Sequence, residues 1–254
     1  MKWEELTPLD FSKAVKQAQG VCLLPVGVIE PHPRLPLGSE LFEPRAIALR
    51  AAQREPAIVF PWYYFGQINE TKHIHGTVAL RGDTVLRLLT DVCQEISRNG
   101  LKKILIVNGH GVTDYLTFFI RSMLEERRDF IPYLFNWWEG LEEVLQFDLH
   151  VAMELAIHRE LVKLEQTPEE TYSPHLFQYD HLPGLSCPLP KYGGGDSLQD
   201  GDMERVNEGI QEGKNLLEAA ADHLAQHIRA VKNDQETAPL QKKFFDNCEH
   251  DGAF

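Results

Sequence analysis

From Val21 to Ile29 the chain is apolar at nearly every position, Val21-Cys22-Leu23-Leu24-Pro25-Val26-Gly27-Val28-Ile29, and the run ends at Glu30. A segment apolar on both of its alternating faces is expected of a strand covered on both sides of a sheet. Lys103-Ile104-Leu105-Ile106-Val107 repeats the pattern and stops at Asn108-Gly109-His110-Gly111. Ile131-Pro132-Tyr133-Leu134-Phe135 does the same and stops at Asn136-Trp137-Trp138. Between these runs the apolar spacing changes to the helical period. It predicts helices over Leu41–Gln53, over Asp83–Arg98 with Val85, Leu88, Leu89, Val92 and Ile96 on one face, and over Asp114–Arg128 with Leu116, Phe119, Ile120, Met123 and Leu124 on one face. Strands alternating with helices predict an α/β protein, a three-layer α/β/α sandwich with a mostly parallel central sheet. Ligands of such sheets bind beyond the carboxyl ends of the strands, where the polar residues just named fall.

After residue 164 the pattern breaks. Glu165 to Asp202 carries Pro168, Pro174, Pro183, Pro188, Pro190 and the Gly193-Gly194-Gly195 triplet, which predicts a long irregular surface loop, serving either as a lid or as a subunit contact. A long amphipathic helix is expected over Asp202–Val231, and the tail from Lys232 to Phe254 has no clear period. No linker divides the first 165 residues and no repeat is evident, so residues 1–254 read as one domain.

Composition narrows the classes. With 43% hydrophobic and 25% charged residues, the 254-residue chain can bury a core and is neither disordered nor fibrous. The 38 acidic residues against 25 basic ones give a net charge of −13, which repels phosphate backbones and anionic membranes, so neither nucleic acid nor membrane is an expected partner. No apolar stretch approaches the roughly 20 residues that span a bilayer. Cys22, Cys93, Cys187 and Cys248 show neither a C-x-x-C pair nor metal-ligand spacing, and no secretory h-region follows the start, so a reduced, cytoplasmic protein is expected. No glycine fingerprint for a nucleotide follows a predicted strand, which disfavours a dehydrogenase or kinase.

The candidate chemistry lies at the strand ends. Glu30 and His32 follow the first strand, and alternation sends both side chains to one side. Glu40 comes after a Leu35-Pro36-Leu37-Gly38 turn that can return its carboxylate to them, and His110 stands at the end of another strand. Imidazoles with carboxylates are a ligand set for zinc, manganese or ferrous iron, and a carboxylate such as Glu40 can bridge two ions. His150 and Glu154 share a helical face at i and i+4, where the glutamate would orient the imidazole, bind metal, or make a surface contact with it. Trp137 and Trp138 are candidates to stack on a flat substrate ring, or core residues. Arg34 either salt-bridges Glu30 or Glu40 or binds a substrate carboxylate. His73, His75, His175 and His181 read as surface or structural, although His175 and His181 in the long loop are within reach of a neighbouring subunit.

The ordered run Leu24-Pro25-Val26-Gly27-Val28-Ile29-Glu30-Pro31-His32-Pro33-Arg34-Leu35-Pro36-Leu37-Gly38-Ser39-Glu40 resembles the creatininase signature LPVGSxEQHGPHLPLxTD. His75-Gly76-Thr77-Val78-Ala79-Leu80 is similar to that family's FPGTxxL, Val107-Asn108-Gly109-His110-Gly111 to its NGHGG, and His150-Val151-Ala152-Met153-Glu154 to its HAGxxETS. Trp3-Glu4-Glu5-Leu6 also matches, and Glu212-Gly213 matches more weakly. The resemblance implies a creatininase-like α/β/α fold and a hexamer. It also implies a centre of one or two divalent transition ions, zinc or manganese, that hydrolyses a small cyclic amide. By position, Glu30, His32, Glu40 and His110 correspond to metal ligands, His150 to the proton shuttle and Glu154 to the helix glutamate. The departures are Arg34 for a histidine, a loop one residue shorter, Glu40 for aspartate, Val112 for a ligand glutamate, and Glu154 one residue early. They argue against creatinine itself as substrate. Hydrolysis of a keto-cyclitol or sugar-derived ring on the same fold is an alternative, as is a metal-poor binding or assembly protein.

Overall fold

The computed structural model describes residues 1–141, 147–165 and 203–246. Four parallel strands, β1 (Val21–Val26), β2 (Ile58–Val59), β3 (Lys103–Asn108) and β4 (Ile131–Asn136), lie in the order β2-β1-β3-β4. The helices are α1 (Pro8–Gln17), α2 (Ser39–Arg54), α3 (Gly82–Arg98), α4 (Asp114–Glu126), α5 (Leu149–Ile157), α6 (Met203–Asn233) and α7 (Thr237–Asp246). Alternation along β1 and β3 builds two cores. Val21, Leu23, Leu105 and Val107 face Ile47, Met153, Leu217 and Leu224 of α2, α5 and α6. Cys22, Leu24, Ile104 and Ile106 face Ala14, Leu89 and Phe119 of α1, α3 and α4. Helices on both faces of one parallel sheet confirm the expected three layers.

The boundaries differ in instructive ways. β1 pairs only to Val26, because the chain then turns past Gly27 toward the site. Strand β2 is two residues long, too short for any period to announce it. Helix α2 begins at Ser39, so Glu40 belongs to a helix and not to the preceding loop. The tail read as aperiodic contains α7. Two local features set that helix: Asp234 Oδ1 accepts the Glu236 and Thr237 amides at 2.9 and 3.0 Å, and Gln241 donates to the Leu124 and Arg127 carbonyls at 2.7 Å each. The 165–202 loop, with His175 and His181, lies outside the described residues beyond Glu165. No helix among the described residues is long and apolar enough to cross a membrane.

Asp234 also accepts the Tyr133 hydroxyl at 2.7 Å. Burial acts to raise its carboxyl pKa, but the bonds from Thr237, Tyr133 and Glu236 outweigh it and hold the group well below the usual carboxylate range. A depressed folded-state value means that its stabilisation is complete above the ordinary carboxylate pKa, about 4, and is lost as pH falls below it. Asp234→Ala is expected to cost about 1 kcal/mol at pH 7, the usual net worth of such hydrogen bonds, and less at pH 2. Denaturant melts at the two pH values check this, and equal losses at both would refute the ionic part of the contribution.

Candidate metal centre

Sheet order reverses between β1 and β3, since β1 connects outward to β2 and the chain then crosses to β3. Such a switch point leaves a crevice beyond the strand ends. Two glycines make room there for the first turn of α2. A Cβ on Gly109 would lie 1.8 Å from the Glu40 carbonyl oxygen, and one on Gly27 would lie 2.5 Å from it. Pro44, four residues on, has no N–H to offer that carbonyl. Glu40 is thus delivered by a helix seated against two strand ends.

Glu30, Glu40 and His110 are all buried, with one donor atom from each within 4.8 Å of the others. His110 Nδ1 stands 2.7 Å from Glu40 Oε2 and 3.2 Å from Glu30 Oε1. His32 Nε2 lies 3.3 Å from Glu40 Oε1 and 3.5 Å from Glu30 Oε1. The fold therefore brings together the four residues expected as ligands. Polar contacts fix them: Thr71 donates to Glu30 Oε2 at 3.1 Å, and Thr77 holds the Thr71 carbonyl at 2.7 Å. Asn108 Oδ1 accepts the His110 amide at 3.1 Å, while Asn108 Nδ2 donates to the His110 carbonyl and to Asn136 Oδ1.

Burial opposes the charged form of His32, but the hydrogen bonds and charge of Glu30 and Glu40 prevail and raise it to about 10. His110 is likewise raised against burial, chiefly by Glu40. Glu40 is held well below the carboxylate range, because His110 and His32 outweigh its desolvation. The donor set fits a divalent cation: two buried carboxylates and two imidazoles converge, and a cation can take the place of the ring protons that balance them. The His110 Nε2 atom is buried without a hydrogen-bond partner among the described residues.

Beside this cluster sits a residue the sequence reading missed. Glu43, one turn along α2 from Glu40, is wholly buried, and its oxygens lie 2.8 and 3.1 Å from His150 Nδ1. Burial raises the Glu43 carboxyl, opposed by His150; burial lowers the His150 imidazole, but Glu43 reverses this and brings it up to about 9. The orienting carboxylate of His150 is thus Glu43 of α2 and not Glu154. The helical offset of Glu40 and Glu43 was the available signal. Glu154 is also wholly buried, its oxygens have no hydrogen-bond partner among the described residues, and burial raises its carboxyl to about 9. His158 Nδ1 is 3.4 Å from Glu154 Oε2.

Trp137 is not an exposed indole. It is wholly buried and meets the His150 ring edge-on, with centroids 6.0 Å apart. Trp138 is half-buried against the same core and T-shaped to Trp137. Arg34 adopts a left-handed φ of 66° between His32 and Leu35, and its carbonyl accepts the Lys163 amide at 2.8 Å. The ion pairs of Glu30 and Glu40 among the described residues are with His32 and His110. His73 and His75 are exposed.

A buried carboxylate–imidazole cluster at the switch point of a parallel α/β sheet defines a class of metal-dependent hydrolase sites. The creatininase family model, described as creatinine amidohydrolase, matches residues 4–228. The chain belongs to the creatininase family and is a metal-dependent hydrolase. It is 25% identical to the creatinine amidohydrolase of Pseudomonas putida over 257 residues, covering 89% of this chain and 95% of that one. A zinc–zinc form of a creatininase mutant aligns with a TM-score of 0.69 at 20% identity, covering 92% of this chain and 98% of that one. A manganese form of creatininase aligns with a TM-score of 0.66 at 20% identity, covering 92% and 99%.

Proposed function

We propose that this protein hydrolyses a small cyclic amide at a centre held by Glu30, His32, Glu40 and His110, with His150 as the proton carrier. The observation that carries the reading is the convergence of two buried carboxylates and two imidazoles at 2.7–3.5 Å beside an imidazole anchored by its own carboxylate. A divalent ion bound there supplies an activated water and polarises the amide carbonyl. Zinc or manganese suits this nitrogen and oxygen donor set, and both occur in the similar creatininase structures.

The residues supply the remainder. Glu43 fixes the proton on His150 Nδ1, so Nε2 is left to pass a proton to the leaving nitrogen. Trp137 braces that ring from behind and excludes water. Arg34 and Trp138, both partly exposed, are the substrate contacts, and Glu154, one turn along α5 from His150, is a buried acid whose carboxyl burial raises to about 9. The chain works as one cytoplasmic domain in a homo-oligomer, a hexamer in this reading. Exposed Leu240 and Phe244, one turn apart on α7, together with Phe118, provide apolar surface for subunit contact. Light scattering at micromolar concentration is expected to give an oligomer, and a monomer would refute that part.

The activity is tested by metal analysis of chelator-free protein, followed by NMR detection of ring opening in a panel of lactams, hydantoins and creatinine. One to two transition ions per chain are expected, with turnover of a panel member that chelation abolishes and zinc or manganese restores. Protein that binds no ion after reloading would make it a non-catalytic binding or assembly protein instead.

A further inference from the structure

Glu40 offers its two oxygens in different directions, Oε2 to His110 at 2.7 Å and Oε1 to His32 at 3.3 Å. A carboxylate so placed has one oxygen for each of two neighbouring cations. On the His110 side, Glu30 adds a third donor. Val112, which follows the His110 turn, carries no side-chain donor atom that could serve as a further ligand. The next carboxylate is Glu43, three residues along α2, where side chains at i and i+3 are neighbours. It is wholly buried, and Glu40 and His32 are among the charges that act on it. The His32 and His150 rings, with centroids 5.6 Å apart, border the same space. A carboxylate can accept more than one bond at each oxygen, so binding the His150 N–H leaves lone pairs on Glu43 unused.

Resting on the hydrolase reading above, we propose that Glu43 is a ligand of a second transition-metal position, with His32 and Glu40 as its other protein donors. His150 then holds the Glu43 carboxylate in place through Nδ1, as hydrogen-bond partners commonly hold ligating groups. The assignment accounts for a fully buried glutamate on the Glu40 face of α2, where an apolar residue would otherwise pack at less cost. It also shifts the third ligand of that position from the β3 turn to α2.

The test uses the full chain, stripped with chelator, reloaded with Mn²⁺ and desalted. Metal content is measured by mass spectrometry and the electron-spin signal is recorded. Wild type is expected to hold two ions per chain with an exchange-coupled spectrum, since paired sites place ions about 3.5–4 Å apart. Glu43→Gln, nearly isosteric, and Glu43→Leu are each expected to lose one ion, keep the other, and show the spectrum of an isolated Mn²⁺. Circular dichroism confirms the fold of each, and Glu43→Gln carries the test if Glu43→Leu does not fold. Two ions in both wild type and Glu43→Gln would overturn the proposal, as would loss of both ions from folded Glu43→Gln. One ion in wild type would also overturn it, leaving a single position shared by Glu30, His32, Glu40 and His110 and the hydrolase reading intact. No ion in wild type would overturn the hydrolase reading with it.

Discussion

His110→Ala is expected to lose the ion held with Glu30 and Glu40 and, with it, all hydrolysis, whereas His150→Ala keeps that ion and loses only turnover. The difference follows from position. His110 lies between two carboxylates that are 3% and 4% exposed, so its removal leaves two buried negative charges facing each other without their closest balancing group. Breaking a buried pair in this way costs about 3–5 kcal/mol, and metal-free His110→Ala should melt correspondingly earlier than metal-free wild type. His150 has a side chain 26% exposed and, among the described residues, one carboxylate partner in hydrogen-bond reach, Glu43. Removing it should slow catalysis by about 10²–10⁴-fold, the usual contribution of a general acid or base. Metal content, melting and turnover on the substrate found in the panel decide the matter. Loss of the Glu30–Glu40–His110 ion from His150→Ala would make His150 a ligand and undo the division of roles.

Gly213→Ala is expected to destabilise the protein by on the order of 3 kcal/mol or more, the upper end of overpacking costs. The sign is informative, because Gly→Ala within a helix ordinarily stabilises by about 1 kcal/mol. In α6 the added Cβ would sit 1.8 Å from the Ala152 carbonyl oxygen and 2.9 Å from the Ala156 Cβ, so α5 would have to move away. That shift carries His150 and Glu154 with it, and turnover should fall along with stability. Gly209→Ala is the control. There the nearest atom is the Leu155 Cδ1 at 3.0 Å, the end of a flexible side chain that can yield. A Gly213→Ala protein more stable than wild type in denaturant melts would show that the two helices are not in backbone contact.

Much of this arrangement was legible in the chain. The Val21 and Lys103 runs are apolar at nearly every position and become strands buried on both faces, whereas the similar Ile131 run becomes the edge strand β4, buried only at Pro132 and Phe135; each run breaks where polar residues begin. Glu30 and His32 could be placed on one side because extended backbone alternates. Other features left no periodic trace. Strand β2 is two residues long, and α7 is set by the Asp234 cap and by the Gln241 side chain reaching across to α4, neither of which has a hydrophobic period. Glu43 has no signature in the sequence pattern, because a glutamate in a helix normally faces water and its burial depends on which face of α2 the sheet covers. An indole that follows a strand either stacks on a ligand or, more commonly, packs in the core, and the α5–α6 layer covers Trp137.

The sequence by itself determined the layers, the parallel sheet, and the polar strand ends on which a site had to form, because these depend on local period and on the alternation of apolar and polar side chains. Only the tertiary structure decided which side chains meet. Glu40 reaches His110 because Gly27 and Gly109 leave space for the backbone of α2. His150 is anchored by Glu43, 107 residues away in sequence, and not by Glu154 on its own helix. Contacts of that separation depend on helix placement to within an ångström. That placement is set by close packing between elements, which no window of sequence contains.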